Sequence, residues 1–213
     1  MTDYLLERRS QLAFLALQHL SLVVQSLVLA TLLGVTFAVL VQRRPRLAAF
    51  ATGVSSVGLT IPSFALLGIA LAIFRTGVPA AVAAVVFYGA LLIMRNALVG
   101  LAGVDPALRE AARGLGMGPA RRLLRVELPL AWPVTLAGMR VAAQLMMGVA
   151  AVAAYVSGPG LGGLVFSGLS RLGGANSVEA AVTGTLGVLV VALLLDLALI
   201  ALGRLTTPRG IRV

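Results

Sequence analysis

Long apolar segments constrain the fold of this chain most strongly. Leu20–Val41 contains no charged residue and is flanked by Gln18-His19 and by Gln42-Arg43-Arg44-Pro45-Arg46. A helix that crosses a bilayer needs about 20 mostly apolar residues, because the hydrocarbon core is roughly 30 Å thick. Three further segments meet this requirement with one or two charged residues each: Pro79–Leu101, Leu130–Val156 and Val178–Gly203. The sequence therefore predicts an all-α membrane protein.

Composition excludes several classes of protein. Hydrophobic residues make up 60% of the chain and charged residues 11%, against roughly 45–50% and 25% in soluble domains. The chain has no cysteine and one histidine, His19, so we predict no metal site. It also has no lysine, which removes the phosphate-binding lysine of a P-loop. A formal charge of +10 is compatible with nucleic-acid binding, but in so apolar a chain the arginines are first expected to sort across a membrane.

The segment Leu47–Phe74 is long for one crossing and short for two, and Thr60-Ile61-Pro62-Ser63 interrupts it. Proline removes a helical hydrogen bond and kinks the helix. One broken crossing gives five spans in total, whereas two crossings give six. These alternatives place residues 42–46 on opposite sides of the membrane, so the distribution of arginine decides between them.

With five spans, residues 42–46, the connection 102–129 and the tail after Gly203 share one face. That face then holds eleven arginines: Arg43, Arg44, Arg46, Arg109, Arg113, Arg121, Arg122, Arg125, Arg204, Arg209 and Arg212. The positive-inside rule places this face in the cytoplasm. We therefore predict a multi-pass cell-membrane protein with its N-terminus outside and its C-terminus in the cytoplasm, and with no nucleic-acid partner.

The domain organisation follows from the spans. Residues 20–203 form the predicted transmembrane domain, and a cytoplasmic tail, 204–213, follows it. An extracytoplasmic or interfacial segment, 1–19, precedes it, with a predicted helix over 5–19. The first apolar run is long enough to span and no small-residue cleavage site follows, so we predict no removable signal peptide.

The loop 102–129 has its own local signals. Asp105 is a favourable N-cap, Pro106 suits the first helical position and Gly116 suits a helix stop, so we predict a short helix over 106–115. A second basic helical stretch, Ala120–Val126, leads into the next span. On charge pattern alone, a solvated loop helix whose arginines only set the topology is an equal alternative.

The complete spacing in this loop carries more information. Glu110-Ala111-Ala112 is followed after three residues by Gly116, after nine more by Val126, and then by Leu128-Pro129. This pattern resembles the EAA signature of ABC importer permeases, with valine in place of isoleucine as the one departure. The resemblance implies the type I importer fold and a coupling helix that docks in a cleft of a cytoplasmic ATPase subunit. It assigns that role to Glu110, Ala111, Ala112 and Gly116.

The same resemblance implies the partners. They are ATPase subunits that carry the ATP and Mg²⁺, a second permease subunit that is identical or paralogous, and an extracytoplasmic substrate-binding protein. No catalytic residue and no cofactor are expected on this chain. Because the chain lacks the lysine of a P-loop, its composition is consistent with ATP hydrolysis on a separate subunit.

Further segments are most similar to the osmoprotectant permeases of the glycine betaine, carnitine and choline group. They are Thr60–Ser63 followed by Ala65–Gly68, Arg95-Asn96, Val104–Leu108, Val126–Leu130 with Pro133, and Ala137–Arg140. Ser157–Gly162 departs from that group, where the pattern reads isoleucine-glycine-alanine-glycine-glycine-leucine-glycine. Methionine-importer permeases share the architecture and the loop, so amino-acid uptake is the alternative.

Polar residues within the spans are the candidates for a pathway. Arg140 and Asp196 lie at similar depth, roughly 10–15 Å from the cytoplasmic face at 1.5 Å per residue. A charge in the membrane centre costs about 2.5–3.5 kcal/mol, so we expect an intramembrane ion pair that fixes helix packing, with a direct role toward the solute as the alternative.

Two further sets remain open between a functional and a structural role. Thr60, Pro62 and Ser63 are predicted to line the pathway or its gate, with a packing kink as the alternative. Asn96 and Gln144 are candidates for the pathway or for interhelical hydrogen bonds.

Aromatic residues are few and dispersed along the chain. Because a quaternary ammonium favours a cage of aromatic faces, we predict a low-affinity pathway, with selectivity supplied by the binding protein. The glycine-rich loop Ser157–Asn176 lies on the outer side, where the family meets that protein. Two other classes compete: a secondary transporter that uses Arg140 and Asp196 as a coupling pair, and a membrane scaffold without transport.

Overall fold

The computed structural model describes residues 1–207 of the chain and contains no strand among them. Its helices are α1 Thr2–Glu7, α2 Arg9–Val41, α3 Pro45–Gly58, α4 Ser63–Phe74, α5 Gly77–Ala102, α6 Pro106–Gly114, α7 Pro119–Arg122, α8 Leu128–Ala153, α9 Gly162–Ser170 and α10 Ser177–Thr206. A π-helical turn, Leu123–Glu127, precedes α8, and a 3₁₀ turn, Ala154–Val156, follows it. Arg209 and Arg212 of the predicted tail lie outside the described residues.

Within residues 1–207, four helices are long and apolar enough to cross a membrane: α2, α5, α10 and the continuous stretch Pro119–Val156 that contains α8. α5 packs against both α2 and α8. Glycines allow these close approaches: a Cβ at Gly34 would lie 2.9 Å from the Ala90 carbonyl oxygen, and one at Gly100 would lie 2.7 Å from that of Ala131. Small residues at helix contacts are typical of membrane bundles, where van der Waals packing drives association.

α3 and α4 form the interrupted segment. They meet at a bend of 98° across residues 59–62, and counting them as one broken span gives five crossings. Pro62 lies at the N-cap of α4 in an extended conformation. The predicted all-α fold with five apolar segments is confirmed, including the interruption at Thr60–Ser63.

The N-terminal segment differs from its prediction. The expected interfacial helix over 5–19 is absent as a separate element, because α1 ends at Glu7 and α2 runs unbroken from Arg9 through the first span. Leu12, Leu15 and Ala16 pack against the hydrophobic core. Because these residues pack against the core, the first spanning helix extends toward its N-terminus beyond the predicted span.

The bundle has two distinct ends. The coupling end, as we name it, holds residues 42–46 and 102–129, and here Trp132 Nε1 donates to Thr206 Oγ1 at 2.7 Å, joining α8 to the last turn of α10. At the opposite, far end, a Cβ on Gly77 would lie 2.1 Å from the Val156 carbonyl oxygen. The predicted far-end loop contains the helix α9, which packs on α10.

Candidate functional site

The helix α6 begins and ends at the residues that its sequence indicates. The Asp105 carboxylate accepts a hydrogen bond from the Ala107 backbone N–H at 2.8 Å, and Pro106 occupies the first turn. Gly116 has φ +74°, a left-handed conformation that favours glycine. The Met117 and Gly116 N–H groups donate to the Ala112 and Arg113 carbonyls at 3.1 and 2.9 Å, which is a Schellman ending. The helix predicted over 106–115 is confirmed.

The two alanines of the signature differ in exposure, although they are adjacent on α6. Ala112 is buried, with 4% of its surface exposed, and Arg109 donates to the Leu101 carbonyl at the end of α5. These contacts seat one face of α6 on the bundle. Glu110 and Ala111 are exposed on the other side. Ala112 is therefore in place to anchor the helix, and Ala111 to meet a partner.

The outward face of α6 carries two leucines that sequence analysis missed. Leu108 is 47% exposed and Leu115 is 78% exposed. Leu108, Ala111 and Leu115 are spaced three and four residues apart, so they form one stripe on the helix surface. The sequence signal that could have identified them is the recurrence of apolar residues every three or four positions in an otherwise charged helix. Together with Glu110 they form the surface that we call the α6 docking face.

A buried ion pair holds the rest of the loop. Arg122 Nε lies 2.8 Å from Glu127 Oε1, with side chains that are 10% and 4% exposed. Arg122 precedes the π-helical turn and Glu127 is its last residue, and the wider register of the turn brings residues five apart onto one face. From the sequence, Arg122 was counted only among the arginines that set the membrane orientation. In the structure, Arg122 also ties α7 to the start of α8.

Arg140 and Asp196 pair within the membrane-spanning region. Arg140 Nε donates to Asp196 Oδ1 at 2.7 Å, and Nη2 donates to Oδ2 at 2.8 Å. This is the bidentate geometry that guanidinium and carboxylate groups favour. The pair joins the middle of α8 to α10 and compensates two charges that are costly when isolated in a bilayer.

The polar break between α3 and α4 is partly exposed. Thr60 and Pro62 are exposed and Ser63 is half-buried. The carbonyl that the break frees at Ile61 accepts a hydrogen bond from the phenol of Tyr88 on α5. Tyr88 is itself 3% exposed, and sequence analysis did not single it out for this role. A satisfied carbonyl allows irregular backbone at membrane depth.

Asn96 and Gln144 do not lie at one site. The Asn96 amide donates to the Leu92 carbonyl of its own helix at 2.9 Å, and a Cβ on Gly138 would lie 2.3 Å from Asn96 Cβ. Asn96 therefore fills the contact between α5 and α8. Gln144 is exposed on α8.

Three aromatic side chains come together at the far end. The Phe64 ring centroid lies 5.5 Å from that of Tyr155 and 6.4 Å from that of Phe166, and Tyr155 and Phe166 are 5.6 Å apart. Phe64 is in the first turn of α4, directly after the break, and Tyr155 is 67% exposed. This cluster is not evident from the sequence, because the bend in α3–α4 brings Phe64 beside residues about 90–100 positions away. The low affinity of the pathway stays a prediction.

Comparison with known proteins decides the family. Residues 30–207 match the family described as "Binding-protein-dependent transport system inner membrane component". The chain belongs to this permease family. It is a multi-pass membrane protein, and its resemblance to ABC importer permeases is confirmed.

Individual relatives of the permease match over nearly the full length. The osmoprotectant import permease protein OsmW of Salmonella typhimurium is 39% identical over 98% of both chains. The choline transport system permease protein OpuBB of Bacillus subtilis is 31% identical over 100% of this chain and 96% of its own. The carnitine transport permease protein OpuCB of Listeria monocytogenes is 33% identical over 92% of this chain and 88% of its own.

The permease fold also matches a solved structure. An inward-facing conformation of the MetNI methionine ABC transporter aligns with a TM-score of 0.80 at 21% identity, covering 92% of this chain and 96% of that chain. At this identity the match shows the type I importer fold and not the solute.

Proposed function

We propose that this permease forms the translocation pathway of an ATP-driven importer for small quaternary ammonium osmoprotectants such as glycine betaine, choline or carnitine. The observation that carries the proposal is the full-length relationship to permeases named for osmoprotectants, choline and carnitine, at 31–39% identity. The methionine transporter is the less similar protein, at 21% identity. Methionine uptake is therefore the second candidate.

The α6 docking face supports ATP-driven coupling. It presents two exposed leucines and Glu110 on a helix whose other face is seated on the bundle. An apolar stripe with a charged neighbour fits a partner surface, and energetic hot spots in interfaces are commonly few and central. The proposed partner is a cytoplasmic ATPase subunit that carries the ATP and Mg²⁺, so no cofactor is assigned to this chain.

The topology of the proposal follows the arginines. The coupling end carries nine of them within the described residues: Arg43, Arg44, Arg46, Arg109, Arg113, Arg121, Arg122, Arg125 and Arg204. The positive-inside rule places this end in the cytoplasm and the N-terminus outside. The far end then receives solute from an extracytoplasmic binding protein, beside α9 and the break at Thr60–Ser63.

The mechanism is alternating access between two states. ATP binding would draw two docked coupling helices together, one from each of two permease subunits, and would favour a state open at the far end. Nucleotide release would favour the state open at the coupling end. A ligand shifts such an equilibrium only by its differential affinity for the two states, so the α6 contact must differ between them.

The first test is transport by the reconstituted complex. Proteoliposomes that contain the permease, its ATPase and its binding protein are expected to take up labelled glycine betaine, choline or carnitine only when ATP is supplied at the coupling end. Excess methionine is expected to leave this uptake unchanged. ATP-independent uptake would support the secondary transporter instead, and methionine competition would support the amino-acid importer.

The aromatic cluster supports a cationic solute. Phe64, Tyr155 and Phe166 offer π faces beside the break, and a cation over an aromatic ring gains about 0.5–2 kcal/mol. The solute would contact these rings as it enters from the far end.

We expect Phe64→Leu and Tyr155→Leu each to lower uptake of a quaternary ammonium solute by about three- to tenfold, since leucine keeps apolar volume but lacks a π face. Tyr155→Phe should retain uptake. The matched control is Phe37→Leu, because Phe37 is comparably exposed, at 54%, on α2 away from the cluster. Equal losses in all the leucine variants would contradict a role for the cluster in solute contact.

A further inference from the structure

A basic cavity lies at the coupling end, between α6 and the bundle. Its volume is about 750 Å³, and the ends of α2, α3 and α5 surround it together with α6 and α7. Its polar lining consists chiefly of Gln42, Arg43, Arg109, Arg113, Arg122 and Glu127. Neither the docking face of α6 nor the aromatic cluster contributes to it, so the cavity is distinct from both.

The charge of this cavity is largely uncompensated. Glu127 is its only carboxylate among the described lining residues, and it is already paired with Arg122 at 2.8 Å. Arg43, Arg109 and Arg113 form no ion pair within residues 1–207. Arg43 and Arg109 donate to the carbonyls of Pro119 and Leu101, which leaves most of their donors free. Three positive charges thus converge on one space without an anion.

Two buried donors on residues that line the cavity lack an acceptor. Arg109 Nε and Gln42 Nε2 are inaccessible to solvent and make no hydrogen bond. A guanidinium group cannot accept a hydrogen bond, and a buried donor without an acceptor destabilises the folded state. These two donors add to the excess of donors over acceptors around the cavity.

We propose that this cavity binds a phosphate group through Arg43, Arg109 and Arg113. The fork of N–H donors on arginine matches the oxygens of phosphate. The cavity lies where α2 and α5 leave the apolar core, and its remaining wall is apolar, with Leu98 and Val99 of α5. Basic pockets between membrane helices at this level bind phospholipid headgroups, and free phosphate offers the same chemistry.

The bound phosphate would connect elements that otherwise share few contacts. Arg43 follows α2 of the bundle, whereas Arg109 and Arg113 belong to α6. One anion held by all three residues therefore fixes the coupling helix to the membrane helices. Occupancy of the cavity would raise the stability of this joint, and it does so whatever solute the permease carries.

The test compares two triple variants in the full-length protein, purified with the partners that remain bound. The cavity variant is Arg43→Gln, Arg109→Gln and Arg113→Gln. The control variant is Arg44→Gln, Arg46→Gln and Arg121→Gln, which removes the same charge from exposed residues of the same end outside the cavity. Each protein is placed in nanodiscs of phosphatidylcholine alone or with phosphatidylglycerol, and retained lipid is measured by native mass spectrometry.

We expect the native protein and the control variant to retain phosphatidylglycerol, and the cavity variant to lose affinity by roughly a hundredfold, since each of its three arginines contributes about fivefold. A second arm titrates inorganic phosphate onto protein in phosphatidylcholine and follows the melting temperature. A shift in this arm alone, absent from the cavity variant, identifies free phosphate as the source. Equal losses in both triple variants, or no response in either arm, would overturn the proposal.

A single substitution guards against misfolding of the triple variant. The Arg113 side chain makes no hydrogen bond or ion pair among residues 1–207, so Arg113→Gln removes one cavity donor without breaking an internal polar contact. It is expected to weaken phosphate binding by about fivefold with an unchanged melting temperature in phosphatidylcholine. Unchanged binding in this folded variant would contradict the assignment.

Discussion

Replacing Leu115 with aspartate is expected to abolish ATP-driven uptake while leaving the protein folded in the membrane. Leu115 is 78% exposed and follows the last turn of α6, so the substitution removes apolar contact area and adds a charge without disturbing the core. Loss of a central interface anchor costs about 2–4 kcal/mol. Uptake and copurification of the ATPase are therefore expected to fall by at least about thirtyfold.

One substitution on the docking face and one at the glycine that ends α6 test the same coupling role. Glu110→Arg reverses an exposed charge, and Gly116→Val places a β-branched residue at φ +74°, where such side chains are strained. Both are expected to uncouple ATP hydrolysis from uptake without removing the protein from the membrane.

The matched control for these variants lies at the far end. Leu172 is 68% exposed there, and Leu172→Asp should leave ATPase copurification unchanged. Normal ATP-driven uptake in the Leu115→Asp or Glu110→Arg protein would contradict coupling through α6.

Neutralising one partner of the Arg140–Asp196 pair is expected to produce the largest loss of stability. Asp196→Leu leaves a guanidinium group without its bidentate acceptor between α8 and α10. An unpaired charge in the membrane costs about 2.5–3.5 kcal/mol, so the melting temperature in detergent and the amount of membrane-inserted protein should both fall. Arg140→Met is expected to do the same.

The double variant Arg140→Met with Asp196→Leu distinguishes a structural pair from a functional one. Replacing both charges by apolar side chains of similar size removes the desolvation penalty as well as the attraction, so stability should return to within about 1 kcal/mol of the native protein. If the pair only fixes helix packing, the double variant also transports. A stable double variant without uptake would instead assign the pair to the solute or to ion coupling.

The coupling loop shows which structural features neighbouring residues determine and which they do not. Asp105, Pro106 and Gly116 act through their own backbone neighbours, so the limits of α6 are predictable from them. Which face of α6 contacts the bundle depends on the end of α5, which lies farther along the chain than these backbone neighbours. For this reason Ala112 is buried and Ala111 exposed, a difference that the signature does not contain.

The remaining features divide in the same way. Apolar length and the position of Pro62 determined the membrane class, the five apolar segments and the break, since each is a property of a continuous stretch of chain. Only the tertiary structure brought together Phe64 with Tyr155, Tyr88 with the Ile61 carbonyl, and Arg43 with Arg109. These contacts join distant segments, and a 98° bend with glycine-mediated helix packing decides which of them meet.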